Sequence, residues 1–300
     1  MNNCIEVNGL TKKYAPKGHH NFELKGICFN VPSGYITGFI GPNGAGKTTT
    51  IKLILSTLKK DTGSIKMLGS EKTLAHNEDI GIVMDNPMYL EKWTMADVSK
   101  AVSLFYKNWE SKVFFKHLTN FGIDPKKKVE ELSRGMKVKL QIAVALSHNA
   151  KLLILDEPTS GLDPVARDEI CDLLRGFIED ANRSVLFSTH ITSDLDNVAD
   201  YIIFIDSGSV IFAGAKDDLL EKYVRIAGGI DDLNPELKAL VIGYRPHNSG
   251  FEGMIESKNI SCFPGIMKEE ISLDEIIVFM NKNTASGLPQ APVKEVGVDA

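Results

Sequence analysis

The run Gly41-Pro42-Asn43-Gly44-Ala45-Gly46-Lys47-Thr48 constrains this chain more than any other feature. It fits the pattern G-x-x-x-x-G-K-[S/T], in which glycines let the backbone turn tightly enough for successive N–H groups to face one anion. The pattern carries meaning only where a strand delivers the chain to the loop and a helix leaves it. Both flanks are readable here. Tyr35-Ile36-Thr37-Gly38-Phe39-Ile40 is a strand-length apolar run, and helical spacing follows from about Lys47 to Leu58. Such a helix adds its positive N-terminus to the loop amides. The segment therefore reads as a phosphate cradle lined by Gly41, Pro42, Asn43, Gly44, Ala45, Gly46, Lys47, Thr48 and Thr49. Lys47 would reach the β- and γ-phosphates of ATP, and the Thr48 hydroxyl would ligate Mg²⁺.

A second group of residues suits the same chemistry. Lys151-Leu152-Leu153-Ile154-Leu155-Asp156-Glu157 reads as a buried, parallel-type strand ending in two carboxylates. In α/β sheets ligands gather outside the carboxyl ends of strands, which predicts that these acids lie near the phosphates. Asp156 would hold Mg²⁺, directly or through a water. Glu157 would act as general base toward the water that attacks the γ-phosphate. His190 follows another strand-like run, Ser184 to Ser188. A lone histidine is more often a packing or capping residue, but at a strand end beyond two acids it suits a hydrogen bond to the γ-phosphate.

Short apolar runs alternate with helical spacing along most of the 300 residues, which predicts an α/β fold of the P-loop type. Residues 87 to 149 read instead as a helical subdomain inserted into that fold. Residues 1 to 220 are expected to form the main domain, 221 to 282 a small C-terminal α/β appendage, and 283 to 300 a flexible tail. The last helix should open on Ser272-Leu273-Asp274-Glu275, a capping box. The four cysteines are scattered with no C-x-x-C pair, so zinc ligation is not expected, and they read as mostly buried reduced thiols. A net charge of −5 offers no basic face for nucleic acid. No signal-like segment opens the chain, and no apolar run is long enough to cross a bilayer, so any membrane span would have to come from another chain.

Leu132-Ser133-Arg134-Gly135-Met136 precedes helical spacing from about Lys137 to Ser147. On its own this is an ordinary N-cap followed by a glycine. Taken with the cradle, the strand-acid motif, Ser160-Gly161-Leu162-Asp163 and His190, in that order, it resembles the ABC ATPase family over roughly residues 4 to 220. The resemblance implies a head-to-tail pair with two ATP molecules between the copies. Each ATP would lie on one cradle and be closed by Ser133 and Gly135 of the other copy. It implies further that Asp163 links the two sites and that Tyr14 stacks on adenine. The partners implied are a transmembrane permease and a second ABC ATPase, identical or paralogous. The expected location is the cytoplasmic side, peripheral at the inner face of the cell membrane.

The chain departs from the family pattern in several places. Arg134 stands where a glycine is usual, and Met136 where a glutamine is usual. Asp85, after Ile80 to Met84, stands where the family has a glutamine that touches Mg²⁺ or its water; an aspartate there still offers a metal ligand. Asp85 and the late helix from Ser272 to Met280 look similar to bacterial ABC-2-type exporters, including those of amphipathic peptides such as phenol-soluble modulins and those tied to drug resistance. Export is therefore expected over import. The rivals are a non-transport ABC ATPase and a P-loop kinase. The first needs long coiled coils or a second cradle, and neither is readable here. A kinase would need neither Leu132 to Met136 nor His190.

Overall fold

The structure is a computed structural model that describes residues 2–14, 22–71, 78–84, 89–229, 232 and 234–285. It divides into two compact units, Met1–Ala213 and Gly214–Ala300. The first unit opens with β1 (Asn3–Lys13), β2 (Glu23–Pro32) and β3 (Ile36–Ile40), followed by α1 (Lys47–Ile54) and β4 (Thr62–Met67). Next come β5 (Ile80–Val83) and helices α2 (Met95–Val102), α3 (Ser111–Asn120) and α4 (Arg134–Ser147). The alternation resumes with β6 (Leu152–Asp156), α5 (Pro164–Ile178), β7 (Ser184–Thr189), the short α6 (Ser193–Asp196), β8 (Tyr201–Asp206) and β9 (Ser209–Ala215).

Two sheets build this unit. One is antiparallel, in the order β2-β1-β4; the other has six strands in the order β5-β6-β7-β3-β8-β9. The pairs β5–β6, β6–β7, β7–β3 and β3–β8 are parallel. Parallel strands covered on both faces read as continuous apolar runs rather than alternating ones. Every residue of β3, β6 and β7 is buried, which is why these three were legible as strands. The main core joins Ile5, Val7 and Leu24 of the antiparallel sheet to Ile51 and Ile54 of α1 and to Phe39, Ile154 and Leu186 of the parallel sheet. Helix α1 is thereby held between the sheets. Burying one such side chain stabilises by about 1.5–3 kcal/mol relative to exposure. A separate apolar cluster unites Met95, Val98, Phe114, Leu118, Leu132, Leu140 and Val144 of the helical segment.

Two helix boundaries differ from the sequence reading. Helix α1 ends at Ile54 rather than near Leu58, because Ser56 takes a left-handed backbone (φ 55°) and Thr57 N–H turns back to the Lys52 carbonyl. Helix α4 starts at Arg134 rather than Lys137, because Ser133 caps it by accepting from the Met136 N–H at 3.3 Å. Gly135 is therefore inside the first turn. Cys4 and Cys171 are buried, but Cys28 and Cys262 are exposed, so packing accounts for half of the free thiols.

The second unit contains α7 (Lys216–Lys222), β10 (Tyr223–Gly228), α8 (Pro235–Leu240), β11 (Ile242–His247), β12 (Gly250–Glu256), β13 (Met267–Glu269) and α9 (Leu273–Ala285). Its sheet runs β11-β12-β10-β13 over a core of Ile226, Phe251, Ile255 and Phe263. Strand β13 is three charged or exposed residues and has no readable alternation, so only pairing with β10 reveals it. The capping box forms: Ser272 Oγ accepts from Glu275 N–H, and Glu275 Oε2 accepts from Ser272 N–H at 3.0 Å. The other oxygen of Glu275 lies 3.4 Å from Arg225 of β10, tying the start of α9 to the sheet.

Candidate nucleotide site

The cradle is built by β3 and α1. Gly41 follows the buried end of β3, where a Cβ would come within 2.1 Å of the Ile205 carbonyl oxygen, so no side chain fits. Gly46 has φ 115°, a backbone closed to L side chains, and a Cβ there would meet Phe22 Cζ at 2.7 Å. Gly46 is also the N-cap of α1, with no side-chain cap and no acidic residue in the first turn. The N–H groups of that turn therefore face outward with the positive end of the helix dipole behind them, which suits an anion. Replacing Gly46 by Ala is expected to weaken ATP binding by about tenfold or more and to cost about 1–3 kcal/mol of stability. Calorimetric titration and thermal unfolding of the variant check this.

The charged side chains converge on that turn from three strands. Lys47, 5% exposed, donates to the Gly41 carbonyl at 2.6 Å and pairs with Glu157 Oε1 at 3.2 Å. Thr48 Oγ1 donates to Asp156 Oδ1 at 3.2 Å, and Ser188 Oγ donates to the same oxygen at 2.7 Å. Glu157 lies just past β6 with φ 51°, a sharp turn held by its N–H bonding both Ser188 O at 3.0 Å and Ser188 Oγ at 3.1 Å. That turn aims its carboxylate back across the sheet end. His190 Nδ1 lies 2.7 Å from Glu157 Oε2. A carboxylate only accepts, so Nδ1 carries the hydrogen and Nε2 is left for another group. Glu157 is thus bracketed by a cation on one oxygen and an imidazole on the other.

Strand order explains the convergence. Strand β7 stands between β3, which feeds the cradle, and β6, which carries the acids. Ser188 pairs in register with Asp156, so it is placed to bond both the acid and the turn that follows. Ser188 went unnoticed in the sequence, because a serine late in a strand has no signal until the partner strand is known. Its neighbour His190 was legible only as a histidine at a strand end.

The remaining candidates divide. Tyr14 follows β1, is 39% exposed and lies beside Phe22, with ring centroids 6.4 Å apart. Phe22, missed by the sequence reading, packs where a side chain on Gly46 would sit, so this aromatic pair borders the cradle. Ser133 and Gly135 belong to another helix start, that of α4. Gly135 has room for a Cβ, which would sit at ordinary contact, 3.7 Å, from Ala166 and Leu162. The side chain of Arg134 reaches over Gly161, so the added charge lies against the turn between β6 and α5. Asp163 caps α5 by accepting from Val165 and Ala166 N–H, each at 3.1 Å. Thr159 donates to the buried Asp194 at 2.6 Å; burial raises the Asp194 carboxyl, opposed by that bond and by Arg167. Asp85 lies outside the described residues.

Among the described residues, no three His, Cys, Asp or Glu side chains group to hold a metal by themselves. Thr48 and Asp156 instead offer two oxygen donors beside the cradle. Such a sparse set suits Mg²⁺, which proteins commonly hold through one or two side chains together with phosphate oxygens and water.

Known proteins resemble this chain in sequence and fold. The sequence profile of the ABC transporter family matches residues 24–160. The lantibiotic transport ATP-binding protein SrtF of Streptococcus pyogenes is 33% identical over 208 residues, spanning 69% of this chain and 89% of that protein. The ABC transporter ATP-binding protein YdbJ of Bacillus subtilis is 32% identical over 294 residues, 95% of this chain and 91% of that one. Among solved structures, cbiO1 of Clostridium perfringens, part of the ABC transporter complex cbiONQ, aligns with a TM-score of 0.61 at 27% identity, covering 73% of this chain and 91% of that one. With the cradle, the strand-end acids and the histidine gathered at one sheet end, and with relatives matched over most of their length, the chain belongs to the ATP-binding proteins of ABC transporters and is an ABC ATPase.

Proposed function

We propose that this ATPase works as a head-to-tail dimer, with itself or a paralogue, and that ATP-driven closure powers export of a peptide or drug-like molecule through a separate membrane-spanning permease. The observation that carries the reading is Glu157 poised at the mouth of the cradle between Lys47 and His190. The amides from Gly41 to Thr49 bind the phosphates, and Lys47 transfers its ammonium from Glu157 toward the β- and γ-oxygens as ATP enters. Glu157 then accepts the proton of the attacking water. His190 orients Glu157 through Nδ1–H, and it would donate from Nε2 to the γ-phosphate when that nitrogen carries a hydrogen as well. Thr48 and Asp156, together with Asp85 of the sequence motif, would hold Mg²⁺, which would supply neutralisation of charge developing on the phosphate oxygens. Tyr14, beside Phe22, stacks on the adenine.

Ser133 and Gly135 at the start of α4 close the second copy's ATP with helix-terminal amides, and Asp163 links the two sites. Closure is a two-state change biased by ATP, as a population shift requires. The permease supplies the spans, since no helix among the described residues is long and apolar enough to cross a membrane. The ATPase would sit at the inner face of the cell membrane. The helical segment offers it the adjacent Leu104 and Phe105, which are 81% and 77% exposed. Export of a peptide is supported by the likeness to a lantibiotic transport protein.

Steady-state ATPase measured across a protein dilution series tests the dimer. Activity is expected to rise with the square of concentration at the dilute end. Activity strictly proportional to concentration throughout, in a protein that stays monomeric with ATP, overturns the reading.

A further inference from the structure

One buried polar side chain at the seam between the helical segment and the six-stranded sheet takes no part in the nucleotide site. Gln141 lies in the middle of α4 and is 5% exposed. The Leu140, Ala143 and Val144 side of α4 closes the helical cluster. Gln141 and Ala145, four residues apart and so on one face, turn to β5 instead. Ala145 packs so closely there that a Cβ on Gly81 would come within 2.4 Å of it. Gln141 reaches the end of the same strand. Its Oε1 accepts from Met84 N–H at 2.9 Å, and its Nε2 donates to the Met84 carbonyl at 3.0 Å.

Among the described residues, strand β5 is at the sheet edge and pairs within the sheet with β6 alone. The carboxamide therefore stands in for a missing neighbour strand, exchanging both bonds with one residue as an antiparallel partner does. An amide in mid-helix facing a packed seam costs desolvation, and an aliphatic side chain would fill the space without it. What the amide adds is direction: two bonds to one residue fix α4 in both shift and tilt. Ser133 lies two turns away along α4, about 12 Å, so a tilt of about 10° at Gln141 moves Ser133 by about 2 Å. Misplacements of that size are enough to disrupt a closing site.

We propose that Gln141 is a positioning residue for ATP-driven closure: its two-bond clamp on Met84 sets Ser133 against the sheet that holds Asp156 and Glu157. The proposal rests on the head-to-tail reading above. It acts through Ser133 rather than on the nucleotide.

The test uses the Glu157→Gln protein as parent, with ATP-dependent dimerisation followed by light scattering after size exclusion and ATP affinity of the monomer followed by calorimetry. Gln141→Met keeps length and volume but loses both bonds. It is expected to weaken the dimer about tenfold as Ser133 is displaced, with ATP affinity within about twofold of the parent. Gln141→Glu keeps an acceptor for Met84 N–H but turns a carboxylate oxygen on the Met84 carbonyl, so it is expected to weaken the dimer at least as far as Gln141→Met. A dimer as tight as the parent's, or ATP affinity falling in step with dimerisation, overturns the proposal. Should Gln141→Met fail to fold, the same readings on Gln141→Glu decide. A parent that forms no dimer with ATP removes the head-to-tail reading first, and this proposal with it.

Discussion

Replacing Glu157 by Gln is expected to leave ATP binding intact while lowering turnover by about 10²- to 10⁴-fold, the range over which a positioned base contributes. The substitution preserves shape. A glutamine oxygen still accepts from Lys47, now 3.2 Å from Oε1, and the amide nitrogen donates to His190 once the imidazole shifts its hydrogen to Nε2. The left-handed turn at residue 157 is held through its own N–H by Ser188, so it does not depend on the carboxylate. What is lost is the capacity to take a proton from water. ATP then binds and closes the dimer but is not consumed, and a stable ATP-bound dimer should elute from size exclusion. Steady-state phosphate release and sizing with and without ATP measure both halves. Near-normal turnover in this variant removes Glu157 from the role of base.

Lys47→Ala should do the reverse, weakening binding severely before chemistry is reached. Lys47 is the cation that bridges the cradle carbonyl of Gly41 and the acid of Glu157, and it is nearly buried. Charge-assisted hydrogen bonds contribute about 1.5–3 kcal/mol each, so losing those to the phosphates should weaken ATP by about 100-fold. A second effect points the same way. Without Lys47, the Glu157 carboxylate has no cation beside its Oε1, and its charge repels the incoming triphosphate across the same gap. Calorimetry with a slowly hydrolysed ATP analogue reads the affinity directly. An unchanged dissociation constant would show that the backbone amides alone hold the nucleotide.

The candidate functional residues fall into two kinds by how local their signal is. Gly41 to Thr48, Asp156 and Glu157 could be read without coordinates, because their chemistry is written within a few neighbouring residues: glycines where the loop must turn, an ammonium beside them, carboxylates at the end of an apolar run. Ser188, Phe22 and Gln141 left no such trace. A serine in a strand, an aromatic before one and a glutamine in mid-helix are each ordinary, and each acquires its role only from a residue far off in sequence. Ser188 meets Asp156, Phe22 lies over Gly46, and Gln141 clamps Met84. Helix ends were displaced for a similar reason. The start of α4 depends on one hydroxyl finding one N–H, a preference that spacing alone does not register.

The sequence by itself determined the chemical parts: a phosphate-gripping loop, two acids behind a buried strand, a histidine, and the α/β alternation that sorts them onto strand ends. Backbone preference and hydrophobic periodicity are short-range properties, so neighbouring residues suffice to express them. The tertiary structure decided what those parts do to one another. By placing β7 between β3 and β6, the sheet brings the ammonium, carboxylate and imidazole within bonding distance at one end, and Coulomb attraction and hydrogen bonding reward that arrangement only after the strands have paired.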